Sequence, residues 1–171
     1  ESKMYLSSFE CWFKQLLVRP HHKTEVILSI RGDQGYGKSW LFESWIKQVY
    51  GSQAVLSITC SDPSYIFGNF THPNLPTALM CYVDECSFNK EDKEQKKAKQ
   101  LTTGKFTTYN EKFKAQEQGS NYTNFCTTSN AVDNIHVDAG DRRPLCFNTW
   151  TNPRFDERVK AYFSNFNSDT L

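Results

Sequence analysis

The sequence predicts an α/β domain with a five-stranded, mainly parallel central sheet flanked by helices. The chain has 171 residues, of which 38% are hydrophobic, and short apolar segments alternate along it with amphipathic ones. A chain of this length usually forms one domain, and strands that alternate with helices usually form a parallel sheet. We therefore expect residues 1–171 to form a single domain. Because the chain begins with Glu1 rather than Met, we also expect it to be a fragment of a longer protein.

Five short apolar or aromatic segments account for the expected strands. Each segment is almost continuously apolar, as in strands that are buried on both faces, and polar or turn residues follow it. The segments are residues 26–31, 55–59, 78–83, 124–129 and 145–150. Apolar residues at helical spacing predict three helices, at residues 4–18, 39–50 and 155–166.

Composition excludes several classes of protein. Lys and Arg number 20 against 19 Asp and Glu, so the formal charge is only +1 and any contact with nucleic acid must be local. No apolar run approaches the roughly 18 residues that cross a bilayer. The six cysteines contain no CxxC pair, which favours reduced core thiols and an intracellular protein.

A glycine-rich motif gives the strongest chemical signal. In IRGDQGYGKSW, the pattern GxxxxGK[ST] is filled by Gly32, Gly37, Lys38 and Ser39. The glycines let backbone N–H groups converge on phosphate oxygens, Lys38 supplies charge to the β- and γ-phosphates, and the Ser39 hydroxyl ligates Mg²⁺. A strand before the motif and a helix after it are typical of a P-loop. We therefore predict ATP and Mg²⁺ as cofactors, with the nucleotide held by Gly32, Asp33, Gln34, Gly35, Tyr36, Gly37, Lys38, Ser39 and Trp40.

Two later strands are followed by polar residues that complete such a site. The segment at 78–83 leads into Asp84 and Glu85. We expect Asp84 to hold Mg²⁺ together with Ser39, and Glu85 to polarise the water that attacks the γ-phosphorus. The segment at 124–129 leads into Asn130, whose amide is suited to orient that water or contact the γ-phosphate. The second acid favours hydrolysis over transfer to another phosphate.

Three further charged regions leave alternatives open. Arg142 and Arg143 precede the last strand, where an arginine can act on the nucleotide of a neighbouring subunit or pair with acids such as Asp138 or Asp141. The segment at 89–99 has no apolar stripe and predicts a solvated helix face, with a face toward nucleic acid as the alternative. The polar segment at 102–119 predicts a hairpin or a long excursion between strands.

With these residues in place, the sequence resembles the superfamily 3 helicases, a branch of the AAA+ ATPases, and especially the helicase portion of phage and viral primase-helicases. The resemblance spans about residues 4–150 and includes GDQGYGKS, YVDE and NEKFKAQEQGSNYTNFCTTSN. It implies an AAA+-like P-loop fold with these site residues: Lys38 and Ser39 for nucleotide and Mg²⁺, Asp84 and Glu85 as the metal and water-activating acids, Asn130 as sensor, and Arg142 or Arg143 acting in trans.

The resemblance also implies partners. Lys112, with Lys114 nearby, matches a segment that lines a central pore and grips single-stranded nucleic acid, and we place Lys105 in the same interface. Phe113 stands where many relatives have glycine, so a solvated Lys-rich loop is the alternative. The family further implies a homo-oligomeric, hexameric ring. We also expect a preference for DNA, a covalently linked primase or polymerase domain, and, from the lack of a long apolar run, no membrane contact. We expect an intracellular phage, viral or mobile-element protein in the host cytoplasm or nucleus.

The leading interpretation is an Mg²⁺-dependent ATPase motor of a replication helicase, which hydrolyses ATP between subunits and translocates on single-stranded DNA. Three alternatives share the P-loop. One is an ATPase that drives nucleic-acid packaging or remodelling, and another is a small-molecule kinase. The third is a nucleotide-binding module without catalysis.

Overall fold

Eleven helices and strands make up the part of the chain that the computed structural model describes, which is residues 2–50, 57–88, 93–130, 135, 140–149 and 157. In chain order they are α1 (Ser2–Val18), β1 (Ile27–Arg31), α2 (Lys38–Tyr50), β2 (Ser57–Cys60), α3 (Ser64–Phe67), β3 (Met80–Val83), α4 (Lys93–Thr103), β4 (Phe106–Tyr109), β5 (Glu117–Ser120), β6 (Asn124–Ser129) and β7 (Pro144–Asn148).

Five of these strands form one sheet in the order β2-β3-β6-β1-β7. All four pairings are parallel, so the predicted α/β class with a parallel sheet is confirmed. Each strand begins and ends within about two residues of its predicted segment. Because β6 lies between β1 and β3, the carboxyl ends of these three strands are neighbours at one edge of the sheet.

Side chains that alternate along the strands belong to two hydrophobic clusters, one on each face of the sheet. On one face Leu28 and Tyr82 pack with Trp12 and Leu16 of α1 and with Phe42 of α2. On the other face the strands pack against α3, α4 and the hairpin through a second set of apolar residues, which includes Ile58, Val83, Ile66, Leu101 and Phe125. The inner strands β1, β3 and β6 are buried on both faces, which explains the apolar character of β1 and β3, whereas the edge strands β2 and β7 are only partly buried.

The predicted helices are confirmed where the structure describes them, as α1 and α2. The helix expected at residues 155–166 lies outside the described residues, apart from Glu157. Among the described residues, no helix combines the length and the apolar character that spanning a membrane requires.

Helix α4 corrects the expectation of a solvated face for the charged segment at 89–99. Residues 89–92 lie outside the described part, but from Lys93 onward one side of the helix is buried. Ala98 and Leu101 belong to the core, and the Lys99 ammonium lies 2.9 Å from the Asp141 carboxylate. The buried positions recur at three- and four-residue spacing, a stripe that long polar side chains and threonine conceal in the sequence.

The predicted hairpin is confirmed as the antiparallel pair β4 and β5, which lies outside the main sheet. The Tyr109 hydroxyl donates a 2.6 Å hydrogen bond to the Ser120 carbonyl. At the base of the hairpin, the Asn121 side-chain amide donates to the carbonyls of Leu101 and Gly104, at 2.8 and 2.9 Å. These bonds fix the hairpin to the end of α4, immediately before β6.

Candidate active site

The loop between β1 and α2 turns on three glycines. Gly32, Gly35 and Gly37 have φ angles of 152°, 86° and 78°, values that residues other than glycine rarely adopt. A Cβ on Gly32 would also lie 1.7 Å from Oγ1 of Thr149, so this position has no room for a side chain. The loop ends where α2 begins at Lys38, and the free N–H groups of a helix N-terminus favour an anion.

The Lys38 ammonium lies inside this loop. Its Nζ donates to the carbonyls of Gly32 and Asp33, both at 2.8 Å, and to the Asn130 side-chain oxygen at 2.9 Å. Burial lowers the pKa of Lys38, and the nearby carboxylates, led by Asp84, oppose that shift. The side chain thus connects the P-loop to the residue that follows β6.

Ser39 and Asp84 are in direct contact. The Ser39 hydroxyl lies 3.1 and 3.2 Å from the two Asp84 carboxylate oxygens, although the residues are 45 positions apart in sequence. Burial alone would raise the pKa of Asp84, but hydrogen bonds from the hydroxyls of Thr128, Tyr82 and Ser39 outweigh it and lower the pKa. The carboxylate is therefore held ionised, as a metal ligand must be.

Thr128 supports Asp84 and was missed by the sequence analysis. Its hydroxyl donates to the Asp84 carboxylate and lies 2.9 Å from the Tyr82 hydroxyl. Thr128 is fully buried in β6, and burial also raises the pKa of Tyr82. The available signal was a hydroxyl residue near the end of a doubly buried strand, two positions before Asn130.

Glu85 occupies a strained turn directly after Asp84. Its φ angle is 50°, and its backbone N–H donates to the Asp84 carboxylate at 3.0 Å. The next residue, Cys86, donates its N–H to the Thr128 carbonyl at 2.8 Å. Left-handed conformations are uncommon for residues with side chains and concentrate at functional sites. The turn leaves the Glu85 side chain exposed beside the P-loop.

A pocket of about 270 Å³ unites these groups at the carboxyl edge of the sheet. It is lined by Gln34, Gly35, Gly37, Lys38, Ser39, Trp40, Asp84, Glu85, Ser129 and Asn130. Of the other residues expected at the nucleotide, Gly32 and Asp33 contribute carbonyls to Lys38, and Tyr36 does not line the pocket. The structure thus brings together the P-loop, the acid pair and the asparagine.

The donor set of this pocket fits Mg²⁺. No cluster of three or more His, Cys, Asp or Glu side chains suited to a metal occurs among the described residues. Mg²⁺ is typically bound by one or two carboxylates, with waters and substrate phosphates filling the other positions. The touching Ser39 hydroxyl and Asp84 carboxylate provide such an anchor.

Arg142 and Arg143 lie at the opposite edge of the sheet, before the amino end of β7. The five residues of β1 separate the two edges by about 17 Å. The Arg143 guanidinium contacts both carboxylate oxygens of Asp141, at 2.8 and 3.2 Å, and this pairing holds the pKa of Asp141 below its usual range. Arg142 is exposed. Neither arginine lies at the pocket of its own chain.

The three lysines expected at nucleic acid lie on the hairpin side of the domain, and all are exposed. Lys105 precedes β4, whereas Lys112 and Lys114 belong to the loop between β4 and β5. Lys114 pairs with Glu111 at 2.6 Å. Between the two loop lysines, Phe113 has a φ angle of 65° and is fully exposed, so its backbone adopts the conformation that glycine favours.

The Thr128 network gives a testable prediction. Thr128→Val should destabilise the fold by about 1–3 kcal/mol, because the buried Tyr82 hydroxyl loses one of its hydrogen-bond partners, and should weaken Mg²⁺-dependent nucleotide binding, because Asp84 loses a donor. Urea unfolding and nucleotide titration with and without Mg²⁺ measure the two effects. Thr127→Val is the matched control, since it removes a buried 3.1 Å hydroxyl bond to Ser29 without touching Asp84. Equal nucleotide affinity in the two variants would contradict the assignment.

Comparisons with known proteins support the fold and identify the family. No curated protein matches the sequence. The apo structure of the NrS-1 C-terminal region is similar to this chain, with a TM-score of 0.73 at 20% identity over 92% of this chain and 38% of that one. The A form apo structure of the same region gives a TM-score of 0.74 at 20% identity, covering 96% and 40%. At this identity the likeness shows the fold alone, and the chain spans about two fifths of those chains.

A family model also matches the chain. It covers residues 30–143, which include the P-loop, the acid pair, the hairpin and both arginines that precede β7. This is most of the 171 residues. The chain therefore belongs to the family of unknown function DUF5906.

Proposed function

We propose that this domain is an Mg²⁺-dependent ATPase motor of the superfamily 3 type, which translocates on single-stranded DNA as a replication helicase. One observation carries the nucleotide part of this proposal. The Ser39 hydroxyl touches both oxygens of Asp84 at the N-terminus of α2, beside a lysine enclosed by its own glycine loop. Hydroxyl, carboxylate and ammonium groups in this arrangement fit a magnesium-bound triphosphate.

Each group has a separate task in binding. The N–H groups of the glycine loop and the start of α2 face the phosphates, and Ser39 and Asp84 hold the metal. Mg²⁺ held by Ser39 and Asp84 would supply positive charge that offsets the negative charge developing during transfer. The Lys38 ammonium exchanges its contacts with Gly32, Asp33 and Asn130 for phosphate oxygens. That exchange frees the Asn130 amide for the γ-phosphate or the attacking water.

Glu85 is the residue we assign to the attacking water. The strained turn keeps its carboxylate exposed next to Asp84, while Asp84 itself is engaged by three hydroxyl groups. A free carboxylate beside the metal site can orient water and accept its proton. This division of roles favours hydrolysis over phosphate transfer to a metabolite.

Variants of the pocket test the proposed hydrolysis. Lys38→Ala should lose ATP binding and turnover together, whereas Glu85→Gln should bind ATP and lose about 10²–10⁴-fold in turnover, because only proton transfer is removed. Phosphate release without an added acceptor and nucleotide titration measure these effects. Glu43→Gln, an exposed carboxylate on α2, is the charge-matched control. Unchanged turnover in Glu85→Gln would disprove its role.

The arginines support an assembly in which neighbouring subunits share sites. Arg142 and Arg143 lie at the sheet edge opposite the pocket, so they can reach a nucleotide only in another subunit. Arg143 is held by the nearly buried Asp141 carboxylate, which also contacts Lys99 at 2.9 Å. We assign the trans role to the exposed Arg142 and propose a head-to-tail ring, a hexamer as in the family it resembles.

Mixing two inactive variants tests the shared site. Arg142→Ala should lower ATP turnover by about 10³-fold or more, the range measured for arginines that act in trans. Adding Lys38→Ala, which keeps Arg142 but cannot use its own pocket, should restore part of the turnover. Arg19→Ala, another exposed arginine, is the control. A mixture no more active than Arg142→Ala alone would refute a trans arginine.

The hairpin supports the nucleic-acid part of the proposal. Its loop presents Lys112 and a fully exposed Phe113, and Lys105 lies at the start of β4. Exposed lysines bind phosphates without regard to sequence, and exposed aromatic rings stack on unpaired bases. With a chain charge of only +1, a local interface of this kind suits a single strand better than a duplex.

Salt dependence tests the role of Lys112. Lys112→Ala should weaken binding of single-stranded DNA and lower the slope of log affinity against log salt by about 1, because one phosphate contact is lost. Lys96→Ala removes the same charge from an exposed position on α4 and should leave the slope unchanged. Fluorescence anisotropy over a salt series provides the measurement. Identical slopes for the two variants would exclude Lys112 from the interface.

We further propose that the domain works in a longer intracellular protein of a phage, virus or mobile element, joined to a primase or polymerase domain. The motor chemistry supports this, because translocation on one strand serves a polymerising partner. The complete open reading frame and its neighbouring genes test the proposal. A reading frame without such a domain, within a cellular operon, would contradict it.

A further inference from the structure

A second pocket, of about 670 Å³, lies beside the hairpin loop and apart from the nucleotide site. Its walls come from α3 and the loop that follows it, the start of α4, and the loop between β4 and β5. Phe67 lines the pocket while buried in the core, whereas Phe70 and Tyr65 line it and remain 48% and 65% exposed. A cluster of large exposed aromatic rings at a concave surface indicates a binding site.

Hydrogen bonds hold this pocket open in advance. The backbone N–H of Thr71 donates to the Asn110 carbonyl at 2.9 Å, and the Asn110 N–H donates to the Thr71 hydroxyl at 2.9 Å. The Asn110 side-chain amide also donates to the Asn69 carbonyl at 3.1 Å, and the Lys97 ammonium donates to the Gly68 carbonyl. The loop carrying Phe70 is thus fixed to the hairpin and to α4, and such preorganisation lowers the entropy lost on binding.

The charges around the pocket favour an uncharged aromatic ligand inside and a phosphate at its rim. The Lys112 ammonium lies 5.2 Å from the centroid of the Phe70 ring, where a cation is attracted to the ring face. Glu94 and Glu111 line the pocket together with Lys93 and Lys112, so the formal charges of the lining sum to zero and offer a phosphate inside it no net attraction. A neutral ring needs no such attraction, and its attached phosphate can remain outside next to Lys112.

His72 adds a hydrogen-bonding group to this pocket. Its Nδ1 accepts the Asn74 backbone N–H at 3.1 Å, which assigns the proton of the neutral ring to Nε2. Burial lowers the pKa of His72, so the neutral ring predominates at pH 7. Its Nε2–H is then a donor for an acceptor atom on the edge of a heterocyclic ligand.

We propose that this pocket receives an unpaired base of the single strand, stacked on Phe70, while the adjoining phosphate contacts Lys112. The proposal rests on the nucleic-acid part of the proposed function and adds a base-binding role that none of the three hairpin lysines provides. It requires no nucleotide hydrolysis. Binding experiments without ATP therefore test it separately from the motor activity.

A strand without bases separates stacking from phosphate contacts. The full chain should bind oligothymidylate about tenfold more tightly than an abasic deoxyribose-phosphate strand of equal length, because base stacking on aromatic side chains contributes to affinity. Phe70→Ala should remove most of this preference, leaving only what stacking on the exposed Phe113 ring contributes, and should keep the affinity for the abasic strand. Phe70→Tyr should retain the preference. Tyr122→Ala is the control, since Tyr122 is an aromatic residue of similar exposure, 42%, outside this pocket.

The outcomes separate failure of the pocket from failure of the proposed interface. If Lys112→Ala weakens both strands while Phe70→Ala leaves the preference intact, the base pocket is wrong and the hairpin interface stands. If the full chain binds neither strand, both are wrong. Equal affinity for the two strands would also overturn the proposal. Binding of an apolar peptide at Phe70 in that case would indicate a protein partner for the pocket. Thermal melting shows whether Phe70→Ala is folded, as its exposure leads us to expect.

Discussion

The placement of β6 between β1 and β3 is the constraint on which the site depends. The P-loop strand and the acid strand are each about 4.8 Å from β6 rather than from one another. The end of β6 bridges this gap with two side chains, since Asn130 accepts a bond from Lys38 and Thr128 donates one to Asp84. The direct contact between Ser39 and Asp84 closes the same ring of interactions. A strand buried along its full length therefore sets the geometry of both halves of the pocket.

One parallel sheet also separates the surfaces that the proposed function requires. The pocket occupies the carboxyl edge, Arg142 and Arg143 occupy the amino edge, and the hairpin projects between α4 and β6. The arginines of one copy lie about the length of β1 away from its own pocket, and the head-to-tail ring that we propose would place them at a neighbour's pocket instead. In the same way, Asn121 fixes the hairpin next to the strand that reaches the pocket. These placements are consistent with a motor whose work is shared among copies.

The sequence predicted the strands and the P-loop because both leave local signals, continuous apolar segments and glycines at fixed spacing. It also indicated that Asp84 and Asn130 end neighbouring strands, since parallel strands place their carboxyl ends together. It could not predict the role of Thr128, because nothing next to this threonine in the sequence indicates that its hydroxyl contacts Asp84. The buried side of α4 was mistaken for a solvated face, because Lys99 is stabilised by Asp141, which is distant in sequence. In both cases the outcome depends on a contact between side chains that are distant in the sequence, and a single sequence does not show which distant residues meet.

Phe113 has a thermodynamic consequence for the isolated domain. A left-handed backbone costs a residue with a side chain about 1–2 kcal/mol, and a fully exposed ring gains no burial in return. The hairpin tip is therefore locally frustrated: the residue there is worse for folding than glycine would be. Within the chain the tip is held by Glu111, whose carbonyl accepts the Lys114 backbone N–H at 3.3 Å and whose carboxylate pairs with the Lys114 ammonium. The Phe113 ring itself would gain burial only against a partner.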